Sequence, residues 1–262
     1  ALPIWGRLIE LCTHPNSSLG RVASDDYPHV TVHRVCKNHH FGQRHVVEDL
    51  MRVARELPGI SLHASLPCTV WCSWQHMNVH KLGRNYAKRL KTRRKEATQM
   101  LMHFIELAEI IISNGGEVSF EWPRHCEGWL IPELIQFIRQ HNLYSVAVDG
   151  CGCGLTNSLG QPVLKKWRFI TTSERQAASL SELRCQHPSD YRHAEISGST
   201  TRTTERYPDK LCHTMLSGLF GHWQVVPAMP CLDIVDYGHV EPGSTLGFGA
   251  TPATTQIGRA HV

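Results

Sequence analysis

Short apolar segments that alternate with amphipathic ones constrain this chain more than any other feature. Val30 to Val35 is β-branched, and Ile60 to Ala64, Val118 to Phe120 and Ser145 to Val148 are short and apolar, as buried strands are. Between them run helical periods. Val46 to Leu57 puts Val47, Leu50, Met51, Ala54 and Leu57 on one face, and Pro58 with Gly59 stops it. A longer helix is predicted from about Tyr86 to Ser113, with Met100, Phe104, Leu107 and Ile111 as its seam and Asn114, Gly115 and Gly116 as its end. Pro132 to His141 and Pro208 to Leu219 read as further helices, and Lys166 to Thr171 as a late strand. Pro3 to Cys12 reads as a first strand, although Leu8, Ile9 and Glu10 could equally end a helix. Such alternation predicts an α/β fold of Rossmann-like type, a mostly parallel sheet with helices on both faces.

In such sheets ligands sit beyond the carboxyl ends of the strands. Thr13 to Ser18, Pro67 with Cys68, Glu121 to Pro123 and Asp149 to Cys151 all follow predicted strand ends, so they are expected along one edge. The 262 residues are 41% hydrophobic, enough for a packed core, and the net charge of +4 is compatible with a polyanionic partner. Ten cysteines are scattered rather than spaced as a disulfide framework, and no apolar run reaches membrane-spanning length. No signal peptide is evident, so an intracellular, reduced protein with available thiols and no membrane association is expected. The main domain is expected at 1–225. The chain starts at Ala1 without Met and reads as a fragment, 226–256 reads as an irregular tail, and 257–262 reads as translated adapter sequence.

Two segments carry chemistry. Ser65, Leu66, Pro67, Cys68, Thr69, Val70, Trp71, Cys72 and Ser73 offer a thiol, and Phe120, Glu121, Trp122 and Pro123 offer a carboxyl. Methylation of cytosine at carbon-5 requires a thiolate to attack carbon-6 and an acid near N3, with the base extruded from the stack. Each residue also has an ordinary structural reading: Cys68 as a small buried hydrophobe, Glu121 as a carboxylate paired with Arg124.

The two segments resemble the Pro-Cys and Glu-Asn-Val motifs of DNA cytosine (carbon-5) methyltransferases. Trp71 stands where that family has Phe, Cys72 where it has Ser, and Trp122 and Pro123 where it has Asn and Val. The motif order also matches from about residue 5 to residue 220. Glu10 to Gly20 resembles the first, AdoMet-binding motif, with Cys12 to Ser17 in place of its Gly-rich turn. Gly160 to Ile170 resembles the Gln-x-Arg-x-Arg segment, and Tyr207 to His213 is similar to the last motif, whose helix closes the cofactor pocket. The chain is also similar to methyltransferase-like domains carried by retroelements in protist genomes.

The resemblance implies an AdoMet-dependent methyltransferase fold and a nuclear setting, with S-adenosyl-L-methionine as cofactor and nucleic acid, DNA rather than RNA, as partner. It implies Cys68, Glu121, Lys166 and Arg168 as catalytic residues, and Glu10, Thr13, Asn16, Ser17, Asn38 and Pro67 as cofactor contacts. Residues 172–207 would then be a reduced insertion in place of a target-recognition domain. The basic run holding Arg84, Lys88, Arg89, Lys91, Arg93, Arg94 and Lys95, with Trp71 and Ser73 before it, would contact nucleic acid; otherwise it is a solvated helix face. A catalytically inactive nucleic-acid-binding module of a mobile-element protein is the alternative. Cys151 with Cys153, Cys126, and Cys185 with His187 and His193 are possible metal ligands, and Cys185, His187, His193 and Cys212 could make a four-ligand zinc site; no paired Cys-x-x-Cys spacing occurs, so no metal is expected.

Overall fold

The computed structural model describes residues 6–195 and 204–221. Six strands, β1 (Gly6–Thr13), β2 (Val30–Cys36), β3 (Ser61–Ala64), β4 (Val118–Pro123), β5 (Tyr144–Asp149) and β6 (Lys166–Thr171), form one sheet in the order β2-β1-β3-β4-β6-β5. The β1–β2, β1–β3 and β3–β4 pairs are parallel, and β6 runs antiparallel between β4 and β5. The chain leaves β1 to one side for β2 and returns to its other side for β3, so the strand order reverses at β1. That reversal opens a crevice at the carboxyl ends.

Alternate side chains of the strands feed two cores. Ile9, Leu11, Leu62, Phe120 and Trp122 pack beneath α2 (Arg44–Glu56), α3 (Trp74–Ser113) and α4 (Pro132–Gln140). Leu8, Trp167 and Phe169 pack on the other face beneath α1 (Ser18–Asp26), α5 (Glu174–Ser181) and α6 (Asp209–Phe220). Each fully buried Leu, Ile or Phe contributes about 1.5–3 kcal/mol, so the two layers hold the sheet edge rigid. The α/β architecture is therefore present, with helices on both faces.

Three local features depart from the expectation. First, α3 begins at Trp74, twelve residues before Tyr86, and is interrupted at Gly83 (φ 71°, ψ −163°), a conformation that only glycine adopts freely. Second, Ser173 caps a helix inside 172–207: its Oγ accepts from the Gln176 amide, and Ala177, Leu180 and Leu183 join the core. Third, Glu121 lies within β4 rather than after it. The expectations for 226–256 and 257–262 lie outside the described residues. No helix among the described residues is long and apolar enough to cross a membrane.

Candidate active site

Glu121 faces Phe169 across the β4–β6 ladder, on the side of the sheet covered by α1, α5 and α6. Only 3% exposed, its Oε2 accepts hydrogen bonds from Ser65 Oγ at 2.9 Å and Tyr207 Oη at 2.7 Å. Burial raises its pKa above the ordinary carboxylate value, against the two hydroxyl donors and Lys165, which lower it. Glu121 and Arg124 form no ion pair. The neighbouring Trp122, buried on the opposite face, donates its indole N–H to Leu66 O at 2.7 Å. Ser65 and Leu66 are thus tied to β4 from both faces, and these ties fix the segment that leads into Cys68.

Cys68 is half-buried at the start of a 3-10 turn over Thr69–Trp71, its carbonyl accepting from the Trp71 amide at 2.9 Å. Burial pushes its thiol up to about 11, the Glu121 charge adds to that, and Lys165 opposes it. Cys68, Glu121 and Lys165 therefore form one electrostatic group. Lys165 Nζ donates to Thr204 O at 2.6 Å and lies 5.3 Å from the Trp167 ring centroid. Burial lowers its pKa, while Glu121, Cys68 and Glu205 hold the proton on.

The positive charge acting on Glu121 and Cys68 is that of Lys165, not of Lys166 or Arg168. Lys166 is exposed at the start of β6, and Arg168, opposite Trp122, points to the face away from the Glu121 carboxylate. There its guanidinium stands 4.5 Å from the Trp129 ring centroid and donates to Ser145 Oγ at 2.9 Å. A one-residue slip along a strand exchanges its two faces, which is why the reading at Lys166 and Arg168 lands on the wrong side.

Beside this group lies a cavity of about 400 Å³. Glu10, Thr13, Ser17, His63, Ser65 and Tyr207 line it, with Glu205 and Arg206 at its rim. Glu10 is 4% exposed and accepts from Thr13 Oγ1 at 2.8 Å and Ser17 Oγ at 2.6 Å. Its pKa is raised, burial outweighing Ser17, Thr13 and Arg34. Ser17 also accepts from the Gly20 amide as the N-cap of α1 and from Arg34 Nε. A second cavity of about 490 Å³ lies across Cys12, lined by Cys36, Lys37, Phe41, Pro67 and Met100. Cys12 borders both, with φ 58°, where a glycine would be unstrained.

Glu10, Thr13 and Ser17 thus line the first cavity and Pro67 the second. Asn16 and Asn38 do not: both are exposed and line neither cavity, because Asn16 sits in the turn before α1 and Asn38 in a 3-10 turn that leaves Lys37 at the second cavity. Lys165 and His63 are not among the expected site residues, and Tyr207 enters the sequence reading only as the start of the segment similar to the last motif. Tyr207 and Lys165 reach the crevice from segments 86 and 44 residues beyond Glu121, so their place depends on tertiary packing rather than local pattern.

Along α3, Arg84, Lys88, Arg89, Lys91, Arg93 and Lys95 are exposed, and none makes an ion pair among the described residues. Ser73 is exposed at the helix start, and Trp74 beside it is 65% exposed. Arg94 departs from the expected role. Its Nε donates to Val70 O at 3.0 Å, its Nη2 pairs with Glu127 at 3.1 Å, and its guanidinium lies 5.2 Å from the Trp71 ring centroid. It is a brace for the Cys68 loop. Trp71 is half-buried against the core, and its indole N–H is buried without a hydrogen-bond partner among the described residues.

The expected four-ligand set also changes. Cys212 is fully buried in α6, while Cys151 stands with Cys185, His187 and His193, the ligand atoms all within 4.8 Å of one another. No protein-family model, curated protein or solved structure matches the chain.

Proposed function

We propose that this chain transfers a methyl group from S-adenosyl-L-methionine to carbon-5 of cytosine in nucleic acid, DNA in preference to RNA, on an AdoMet-dependent methyltransferase fold. The observation that carries this reading is the buried Glu121 carboxyl, hydrogen-bonded to Ser65 and Tyr207, which line the 400 Å³ cavity, with its charge raising the Cys68 pKa.

The Cys68 thiolate attacks carbon-6 of an extruded cytosine, forming a C–S bond and moving an electron pair toward N3. The Glu121 carboxyl, whose raised pKa favours its protonated form, donates to N3 and offsets that charge. Carbon-5 then carries the electron density that accepts a methyl group, which the bound cofactor supplies. Water takes the carbon-5 proton, the electron pair left behind expels the thiolate from carbon-6, and N3 returns its proton to the Glu121 carboxylate, which restores the ring. A Glu121 that keeps its proton also removes the charge that raises the Cys68 pKa, and Lys165 stabilises the resulting thiolate.

The crevice fits the cofactor in size and donor set. Cavities of about 400 and 490 Å³ lie within the range of small-molecule pockets. Thr13, Ser17 and Glu10 offer polar groups at the α1 N-terminus, and Phe41, Met100 and Pro67 an apolar wall. Calorimetric titration with S-adenosyl-L-methionine, together with labelled-methyl transfer to DNA and RNA, tests the reading. Cys68→Ala should abolish transfer while leaving cofactor binding and the fold intact. An unmutated chain that binds no cofactor sinks it.

One alternative rests on specific observations. Burial holds the thiol near 11, and β2 ends at Cys36 and runs into Lys37 and Asn38, with no carboxylate at these positions for a ribose. These favour a nucleic-acid-binding module without catalysis. That module would bind DNA with a steep salt dependence, unaffected by Cys68→Ala or by the cofactor.

A further inference from the structure

Away from the crevice, the segment from Arg184 to Ala194 crosses the end of β5 with almost no apolar anchoring of its own. It is fastened at its start by Asp149, whose Oδ2 accepts from Arg184 Nε at 2.8 Å and the Cys185 amide at 3.1 Å. Its end is fastened by the Ala194 amide, which donates to Pro162 O at 2.9 Å. Gly152 permits the close approach: a Cβ there would lie 2.6 Å from Arg184 O. Between these points the side chains turn inward on one another.

Cys185 Sγ lies 3.4 Å from His187 Nδ1 and 3.4 Å from His193 Nε2, and the two nitrogens are 3.2 Å apart. Cys151, from the turn after β5, brings a second sulfur to the group. Tetrahedral zinc, with Zn–S near 2.3 Å and Zn–N near 2.0–2.1 Å, requires ligand atoms separated by about 3.3–3.8 Å. The three contacts with stated distances fall at or just below that range. Tyr191 stacks on the His187 ring, centroids 4.2 Å apart, and packs edge-on against His193 at 5.0 Å, so both imidazoles are held in orientation. Two sulfurs and two ring nitrogens converge here from two separate parts of the chain, with no carboxylate among them, a donor set suited to zinc rather than to calcium or magnesium.

We infer that Cys151, Cys185, His187 and His193 form a structural zinc site that clamps the 184–194 segment to the end of β5. On binding, each thiol releases its proton and the ion takes four protein ligands, leaving no open position for catalysis. The site is independent of methyl transfer and holds equally for a non-catalytic module.

The test uses the full chain, purified without a histidine tag or chelator and analysed for metals by mass spectrometry. About one zinc per chain is expected, falling at least fivefold in Cys185→Ser and in His193→Ala, and unchanged in Cys72→Ser. Because ligand variants can lose their fold, cobalt(II) is also titrated into chelator-treated unmutated protein. Intense visible bands of tetrahedral cobalt with thiolate charge transfer, displaced by one equivalent of zinc, support the site. Zinc-free protein that gives only the weak spectrum of octahedral cobalt overturns it, as does a mass two hydrogens lighter that maps to a Cys151–Cys185 disulfide in freshly purified protein.

Discussion

Tyr207 Oη donates a 2.7 Å hydrogen bond to Glu121 Oε2 across 86 residues of sequence, and the same hydroxyl stands 3.3 Å from His63 Nε2. Only the N-cap Pro208 separates the tyrosine from the helix α6, so packing of that helix on the sheet positions the hydroxyl that binds the acid. Tyr207→Phe keeps the ring against Trp167 and Phe169 but deletes the donor. Loss of one such bond corresponds to about 1.5–3 kcal/mol, roughly 10- to 100-fold in the rate of methyl transfer. The hydroxyl also lowers the Glu121 pKa, so its removal raises it. The limb of the rate profile on which Glu121 loses its proton should therefore move to higher pH. A rate loss without that movement assigns Tyr207 a packing role only.

Lys165 and Lys166 are adjacent in sequence and differ in what they touch. Lys165 lowers the Cys68 pKa, so Lys165→Met should push the thiol further above 11 and slow its alkylation by a neutral thiol reagent at fixed pH, mapped peptide by peptide. Methyl transfer should fall at least tenfold. Lys166→Met, at an exposed position, should stay within about twofold in both measurements. Equal losses in the two variants would remove Lys165 from the site.

His63 is buried beneath Tyr207, with Nδ1 2.8 Å from Ser119 Oγ, and burial lowers its pKa to about 3 from an ordinary value of 6.5. The folded state therefore keeps His63 neutral while the unfolded chain takes up a proton below pH 6.5. Its contribution is fully present above 6.5 and is lost as the pH falls toward 3, at up to about 1.4 kcal/mol per pH unit. Glu10 and Glu121 have raised pKa values and the opposite sign: they favour folding at low pH and lose that contribution as the pH rises through their folded values. Comparison with His63→Gln isolates the histidine. Urea midpoints of the unmutated chain should drop more steeply between pH 6.5 and 4.5 than those of the variant, and parallel curves would show that His63 takes up its proton in the fold.

The alternation of strands and helices was legible because it depends on local pattern: β-branched Val30 to Val35 and the seam Met100 to Ile111 bury the faces that their periods predict. The apolar segments leading to Cys68 and carrying Glu121 were legible as β3 and β4, although Glu121 lies inside its strand rather than beyond it. Positions set by distant contacts were not. Lys165 depends on the register of an antiparallel strand and Tyr207 on helix docking; Cys151 is a possible ligand in the sequence, but its grouping with Cys185, His187 and His193 depends on the close approach of Arg184 to Gly152. Trp122 shows how a departure from a resembled motif can be physically coherent. Where the family carries Asn, this chain has an indole whose N–H ties Leu66 to β4. Cys12 is the converse, a residue held at φ 58° where glycine would relieve the strain.

The basic stretch of α3 separates into two kinds of cation, and salt dependence distinguishes them. Lys88, Arg89, Lys91 and Arg93 are exposed and make no ion pair among the described residues, although Arg89 lies 5.9 Å from the Tyr86 ring centroid, so their charges can displace counterions from a phosphate backbone. Each, replaced by Ala, should weaken DNA binding similarly across sequences and reduce the slope of log K against log salt by about 1. Arg94 is already committed to Val70 O, Glu127 and the Trp71 ring, so Arg94→Ala should leave that slope unchanged. It instead releases the Cys68 loop and leaves Glu127 without its arginine, and methyl transfer should fall by 10-fold or more while DNA binding stays within about twofold. Arg94→Lys should not restore the rate, because a single ammonium cannot span a carbonyl and a carboxylate while also stacking on an indole. Filter binding across a salt series, run beside transfer assays, separates these outcomes. A slope that falls by 1 in Arg94→Ala would return this arginine to the nucleic-acid face.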